Sequence, residues 1–431
     1  MAVRTGIPSA LRRSFRPARA GARDPGERGR YLSELLPALW PPPARITRGR
    51  RWARGAGRDI EFLVVPDERR AVLLLPRRPR RAAAAALRNY RASATRAVRW
   101  QLNVLALATR TGCAEALPHR IRIEQAAGTG PGDLTGYLRT ALGRDVVVSL
   151  YIGPPRANRK PVLQALTPAG VMVGFVKVGL TPLTRDLVGA EAATLASLGT
   201  AALSRLRVPQ LLSHGQWQGH EVLVQEAFSG SGRPAAEAEL TAAMAELAQV
   251  HGVTRSRAAD SPYWHGLRRR LQALGQQAPA VSLLQALDGA AAAARATTLT
   301  FGAWHGDWTP WNMATVPGRI LVWDWERFAT GVPLGFDAVH YRLQSAIRDG
   351  VSGVDAAEAV LAGAAGLLAP FGMDHPAADL AAFLYLAEIG TRYLQDGQAE
   401  AGARLGRVET WLLPVLIRHQ LVTPGDDKVD R

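Results

Sequence analysis

The chain has 431 residues, of which 47% are hydrophobic, and a formal net charge of +17. That length allows two or three domains and a substantial core, and no apolar run approaches the roughly eighteen residues of a membrane-spanning helix. A single cysteine, Cys113, excludes an internal disulfide and any cysteine-based zinc cluster. The N-terminus has arginines but no apolar stretch of a secretory signal, so a cytoplasmic protein with no membrane span is expected. The positive charge is uneven. Residues 1–140 hold 28 basic and 10 acidic residues, residues 141–230 hold 8 and 5, and residues 231–431 hold 17 and 21. Arginine supplies nearly all of the excess, since the lysines are only Lys160, Lys177 and Lys428. A solvated surface or an anionic partner, such as an acidic peptide, both fit this charge.

Residues 1–30, rich in Arg, Gly, Ala and Pro, read as a disordered tail. Residues 31–140 read as an N-terminal α/β extension with no catalytic motif. Within it, Ile60–Val65 and Ala71–Leu75 flank Pro66–Arg70 as a hairpin, and the Ala-, Leu- and Arg-rich run Arg80–Thr109 reads as one long helix. Pro118–Gln125 is a short strand, and Asp133 caps a helix running to Leu142. From residue 141 the pattern changes to close strands, at Asp145–Ile152, Pro161–Thr167 and Val171–Val178. A helix at Asp186–Leu198 and a strand at His220–Gln225 follow, then Glu226-Ala227 and a Ser/Gly-rich break near residue 230. Residues 231–431 read as largely helical, at Glu237–His251, Tyr263–Leu274, Val281–Arg295, Asp355–Ala369, Ala377–Asp396 and Gly402–Leu416.

One stretch in the helical part carries chemistry. In residues 301–326, Gly306 and Pro310 prevent a helix through His305–Asn312. Met313–Val316 and Arg319–Trp325 are apolar and separated by the turn pair Pro317-Gly318, so they read as a hairpin. Folding it brings Asn312 opposite Trp323 and gathers Asp307, Asn312 and Asp324 into one volume. Two carboxylates and an amide oxygen are hard oxygen donors of the kind Mg²⁺ prefers.

The pattern His305-x-Asp307-x4-Asn312, with Asp324 twelve residues on in Val-Trp-Asp-Trp-Glu, resembles the catalytic loop and metal segment of aminoglycoside phosphotransferases. That family shares a protein-kinase-like fold with choline kinases. The resemblance implies an α+β, bilobal protein-kinase-like fold, with a β-rich amino-terminal lobe at 141–230 and a helical carboxyl-terminal lobe at 231–431. It implies that Asp307 is the catalytic base, that His305 braces the loop, and that Asn312 and Asp324 hold Mg²⁺ on the phosphates of ATP or GTP. Glu326 and Asp337 fall where the family often keeps acids. Lys177, in Phe-Val-Lys-Val-Gly on the third strand, takes the place of the phosphate-pairing lysine, with Glu191 on the next helix as its partner. Gln225, Glu226 and Ala227 stand for the hinge that meets the base.

The first turn departs from the glycine-rich loop of protein kinases, since Gly153-Pro154-Pro155-Arg156-Ala157-Asn158-Arg159-Lys160 has one glycine. Arg156, Arg159 or Lys160 is the candidate to reach a phosphate in place of backbone amides. Asp337, Glu388 and Asp396 are candidate linings of an acceptor pocket. The activity expected is phosphoryl transfer from a nucleotide to a hydroxyl of a small molecule. A Ser/Thr kinase for a biosynthetic peptide and a nucleotide-binding pseudokinase scaffold are the alternatives. The Gly-x4-Gly-Lys-Ser/Thr, His-Glu-x-x-His and Gly-x-Ser-x-Gly signatures are absent from the sequence.

Overall fold

A computed structural model describes residues 26–49, 59–90, 96–124, 132–228 and 235–419. The expected disordered tail lies outside them up to residue 25, while its last residues already belong to a helix, α1 (Glu27–Leu39). The Ser/Gly-rich break falls outside them too, apart from Phe228. Two units are distinguished. The first holds the chain to Pro154, Arg159–Val188 and Gln210–Ser229; the second holds Pro155–Asn158, Gly189–Pro209 and the chain from Gly230 on.

The first unit is organised by one nine-stranded antiparallel sheet. Its strands are β1 (Arg45–Gly49), β2 (Ile60–Val65), β3 (Leu73–Pro76), β4 (Arg120–Glu124), β5 (Val147–Tyr151), β6 (Val162–Leu166) and β7 (Met172–Gly179). Two more, β9 (Leu211–Trp217) and β10 (His220–Gln225), follow β8 (Leu206–Arg207), which belongs to the second unit. The order is β1-β4-β2-β3-β5-β6-β7-β10-β9. The β3–β5 pairing, Leu73 to Tyr151 and Leu74 to Leu150, therefore makes the N-terminal strands and the later meander a single sheet.

Both faces are covered, which the side-chain alternation dictates. Phe62, Val64 and Leu74 face a core with α1 and α4 (Leu134–Leu142), while Leu63, Val65, Leu73 and Leu75 face α2 (Arg80–Tyr90) and α3 (Arg96–Thr111). The run expected as one helix is thus two, and they pack against each other. A single thirty-residue rod would be about 45 Å long and would overrun the sheet, whereas two shorter helices can both bury apolar side chains on it. Asp133 caps α4 as expected, accepting from the Gly136 amide at 2.7 Å. Helix α5 (Pro182–Leu198) starts about a turn earlier than expected, where the Thr181 and Thr184 hydroxyls take each other's backbone amides at 3.2 and 2.9 Å.

The second unit is mainly helical. Its helices are α6 (Glu237–Ala248), α7 (Pro262–Ala273), α8 (Ala278–Gly289), α9 (Ala291–Ala296), α10 (Phe336–Arg348), α11 (Gly353–Ala362), α12 (Ala364–Leu368), α13 (His375–Gln395) and α14 (Leu413–Arg418). Two expected helices are broken. Val281–Arg295 divides between α8 and α9, and Asp355–Ala369 divides at Gly363 between α11 and α12. Gly402–Leu416 is helical only from Leu413 on, apart from a short 3₁₀ turn at Val408–Thr410, and Gly402 itself takes a left-handed conformation (φ +71°). Helix α13 lies in the middle of the core, with Leu380–Ile389 wholly inside it.

Two small sheets carry the loops between these helices. One is β11 (Thr254–Arg257), β12 (Thr298–Trp304) and β15 (Ala329–Pro333); the other is β13 (Met313–Val316), β14 (Arg319–Val322) and β8. The expected hairpin is β13–β14, paired from Met313–Val322 to Val316–Arg319 around Pro317-Gly318. Among the described residues, no single helix is long and apolar enough to cross a membrane.

Candidate active site

Strand β12 delivers the chain into the loop 305–312, and the loop is held from beneath by α10. Asp337, His340 and Gln344 lie at i, i+3 and i+7 on that helix, so they share one face, and all three are buried. The Asp337 carboxylate accepts the backbone amides of His305 at 2.7 Å and Gly306 at 3.1 Å. Burial pushes the Asp337 carboxyl up to about 7, against those two hydrogen bonds. The Gly306 carbonyl accepts from Arg392 of α13 at 2.6 Å. Gly306 itself has φ +81°, and a Cβ there would stand 2.3 Å from the Arg327 carbonyl oxygen, so only glycine fits.

His305 braces the loop from inside. Its Nδ1 accepts the Asp307 amide at 3.1 Å, which leaves the proton on Nε2 to donate to the Trp323 carbonyl at 3.2 Å. Burial pushes its pKa down to about 4. A neutral buried histidine with an unfolded pKa of about 6.5 stabilises the fold fully above that value. Its contribution, up to about 3 kcal/mol, is lost as pH falls from about 6.5 toward 4. Gln at this position can make both hydrogen bonds but cannot titrate. Urea midpoints of His305→Gln should therefore fall less than wild type between neutral pH and pH 4, whatever other groups contribute to both proteins.

Asp307 is held at both carboxylate oxygens. Oδ2 accepts from the Asn312 amide nitrogen at 2.9 Å and Oδ1 accepts from His340 Nε2 at 3.0 Å. His340 Nδ1 in turn accepts the Tyr385 hydroxyl at 2.8 Å, which fixes the tautomer. Burial lowers the His340 pKa despite Asp307, so the ring is neutral. Burial pushes the Asp307 carboxyl up, but the hydrogen bond from His340 outweighs that and holds it below its ordinary value. The Asp307 side chain is still 32% exposed, so this oriented carboxylate can meet a ligand.

The hairpin brings the remaining residues in. The Trp323 amide donates to the Asn312 carbonyl at 3.0 Å, so Asn312 stands opposite Trp323 and beside Asp324, as the turn implied. Asn312 uses its amide nitrogen for Asp307, and its Oδ1 is not engaged in that bond. Asp324 has φ +75°. Carboxylate oxygens of Glu191, Asp324 and Glu326 all lie within 4.8 Å of one another. Glu191 also accepts the Trp325 amide at 3.2 Å, and Glu326 accepts from Asn158 at 2.9 Å.

Asp307 and Glu326 open into a cavity of about 150 Å³ whose other polar walls include Arg156, Asn158, Gln344, Arg392, Asp396, Gln398 and Arg404. Trp311 and Tyr393 supply aromatic wall. Asp396 is ion-paired with Arg327 in that wall. Glu388, grouped with it in sequence, is not in this wall. It is held by Arg270 at 2.8 Å and the Tyr263 hydroxyl at 3.2 Å, inside the helical core. Arg156 does line the cavity, whereas Arg159 stacks on Tyr31 in the first unit, with its guanidinium carbon 3.6 Å from the ring centre.

The other sequence candidates lie in the first unit. Lys177 is buried on β7 opposite Val162 and Leu223. Gln225 ends β10, also buried, with its side-chain oxygen lacking a hydrogen-bond partner. The Glu226 amide donates to the Gln210 carbonyl at 2.8 Å, and Ala227 follows it. His340 was not singled out from sequence, although Phe336, Val339, His340, Leu343 and Ile347 mark the buried face of α10. That spacing was the available signal.

No family model matches the chain, and no curated protein does. Among solved structures it is similar to an amicoumacin kinase in complex with AMP-PNP and Ca²⁺, at 14% identity over 64% of this chain and 90% of that one (TM-score 0.39). It is also similar to the complex of gentamicin with APH(2″)-IIa, at 13% identity over 66% and 95% (TM-score 0.42). A macrolide 2′-phosphotransferase from Brachybacterium faecium matches at 18% identity over 63% and 96% (TM-score 0.40).

Proposed function

We propose that this protein is a nucleotide-dependent phosphotransferase that moves the γ-phosphoryl group of ATP or GTP to a hydroxyl of a small molecule. The observation that carries the reading is the Asp307 carboxylate, gripped by Asn312 and neutral His340 and open to a cavity beside the carboxylates of Asp324 and Glu326. An ionised, oriented carboxylate suits a general base. Asp307 accepts the hydrogen bond of the acceptor hydroxyl and takes its proton as the new oxygen–phosphorus bond forms. The bond to the β-phosphate oxygen breaks, and the nucleoside diphosphate leaves.

The donor set fits a divalent cation. Three carboxylates whose oxygens lie this close offer hard oxygen ligands of the kind that Mg²⁺ takes. Asp324 and the Asn312 Oδ1 are the proposed ligands, with Glu326 or Glu191 adjoining. When bound, such an ion neutralises charge on the phosphates. Lys177 is assigned to the nucleotide phosphates on the strength of the sequence resemblance.

The cavity also constrains the acceptor. Asp307, Glu326 and Asp396 are met by Arg156, Arg327, Arg392 and Arg404, so its wall has no net negative charge to attract a polycation. A neutral or anionic hydroxyl compound is the proposed acceptor class. The test is a screen of ATP and GTP consumption with mass detection of phosphorylated product. It spans neutral sugars, hydroxy acids, cholines, Ser/Thr peptides and aminoglycosides. Phosphorylation is expected among the neutral or anionic hydroxyl compounds. Efficient turnover of aminoglycosides alone would reverse the acceptor assignment, and no phosphoryl transfer to any class would count against the activity itself.

A further inference from the structure

Helix α3 is apolar on two opposite sides. Leu102, Leu105 and Ala106 are buried in the core under the sheet. Trp100 and Leu107, at i and i+7 on the other side, are 68% and 65% exposed, and Val104 between them is 37% exposed. A helix that needs only its inner stripe for folding has no reason of its own to present Trp, Val and Leu in a row to water. Single exposed apolar residues are unremarkable, but an aligned stripe marks a surface that is covered in use.

The surrounding charge identifies the cover. From Arg69 to Ala114 the sequence has eleven arginines and no Asp or Glu, and of these Arg70, Arg77, Arg78 and Arg80 are ion-paired with Asp67, Glu61 or Glu115. This segment contains α2 and α3. Exposed Arg81, Arg88 and Arg110 belong to these two helices. Arginine with an aromatic–aliphatic stripe on one helix is the composition of an interfacial membrane helix. A nucleic-acid surface would use the arginines and leave the apolar stripe without a role.

We infer that the outer face of α3, with the exposed arginines of α2 and α3, docks on an anionic lipid surface. Trp100, Val104 and Leu107 enter the boundary between headgroups and acyl chains, and the arginines meet lipid phosphates. This inference is independent of the phosphotransferase reading.

The chain offers a local probe, because its sole cysteine, Cys113, is exposed two residues beyond the end of α3. Protein labelled there with an environment-sensitive dye is mixed with vesicles of phosphatidylcholine alone, or with added phosphatidylglycerol. The expected result is a blue shift and co-sedimentation with the anionic vesicles. Affinity should rise about fivefold for each arginine that reaches the surface and fall with salt. Trp100→Ser with Leu107→Ser should weaken binding by about tenfold or more, because both side chains lose apolar burial. Their urea midpoint should stay unchanged, and Trp100→Phe should retain binding. The proposal is overturned by no binding to anionic vesicles, or by binding that the double substitution leaves intact. It is equally overturned if the protein ignores vesicles and instead shifts duplex DNA, or forms a dimer that the double substitution dissociates.

Discussion

Asp307→Asn should lower kcat by about a thousandfold while leaving nucleotide affinity close to wild type, since general-base contributions run from about 10² to 10⁴. The geometry makes this substitution a clean probe. The two oxygens of Asp307 accept from Asn312 and His340, and Asn offers one oxygen and one NH₂ in the same places. The oxygen can keep the Asn312 bond. His340 can then shift its proton to Nδ1, donating to Tyr385 and accepting the new NH₂ at Nε2. The network survives in a different tautomer, so the cost in stability should be on the order of 1 kcal/mol, the difference between a charge-assisted and a neutral bond. What is lost is the ability to take a proton. Turnover is read by coupled detection of released nucleoside diphosphate, affinity by calorimetric titration, and fold by urea midpoint. A kcat within tenfold of wild type would remove Asp307 from the role of base.

The legibility of this site in the sequence follows from how local its parts are. The loop 305–312 and the hairpin behind it are set by Gly306, Pro310 and Pro317-Gly318, all within the same short stretch, and the structure has them as expected. The contribution of His340 is not local. It reaches Asp307 from a helix that starts some thirty residues later, and only the tertiary packing of α10 under the loop makes that contact. The same applies to Arg392, which reaches the Gly306 carbonyl from α13. Charge alone also misled for Glu388. An acid in the helical part can line a cavity or pair inside the core, and its partner Arg270 lies on a separate helix, α7. In the first unit, alternation in β2 and β3 gave the strands, but the run Arg80–Thr109 gave no sign of where it breaks. Alanine and arginine favour helix throughout that run. The two-helix answer comes from the size of the sheet they cover.

Asp324→Asn should reduce turnover by roughly 10² to 10⁴, the equivalent of several kcal/mol of transition-state charge stabilisation, and should raise the Mg²⁺ concentration needed for half-maximal activity. Asp324 has φ +75°, a left-handed conformation that most side chains resist and that Asp and Asn tolerate. Asn therefore preserves the backbone and removes only the charge. The loss falls within a group of three carboxylates, Glu191, Asp324 and Glu326, whose oxygens lie within 4.8 Å of one another. An ion held there would be attracted by their summed charge, so one fewer weakens its binding. Wild type should gain thermal stability when Mg²⁺ and nucleotide are added together, because a ligand that binds only the folded state stabilises it by mass action. Asp324→Asn should lose most of that gain at the same concentrations. Asp324→Ala separates chemistry from backbone, because alanine is strained at positive φ and should cost a further ~1 kcal/mol of stability even without ligand. If Asp324→Asn kept wild-type turnover with unaltered dependence on Mg²⁺, the carboxylate would be structural, and the divalent ion would have to be held by other residues.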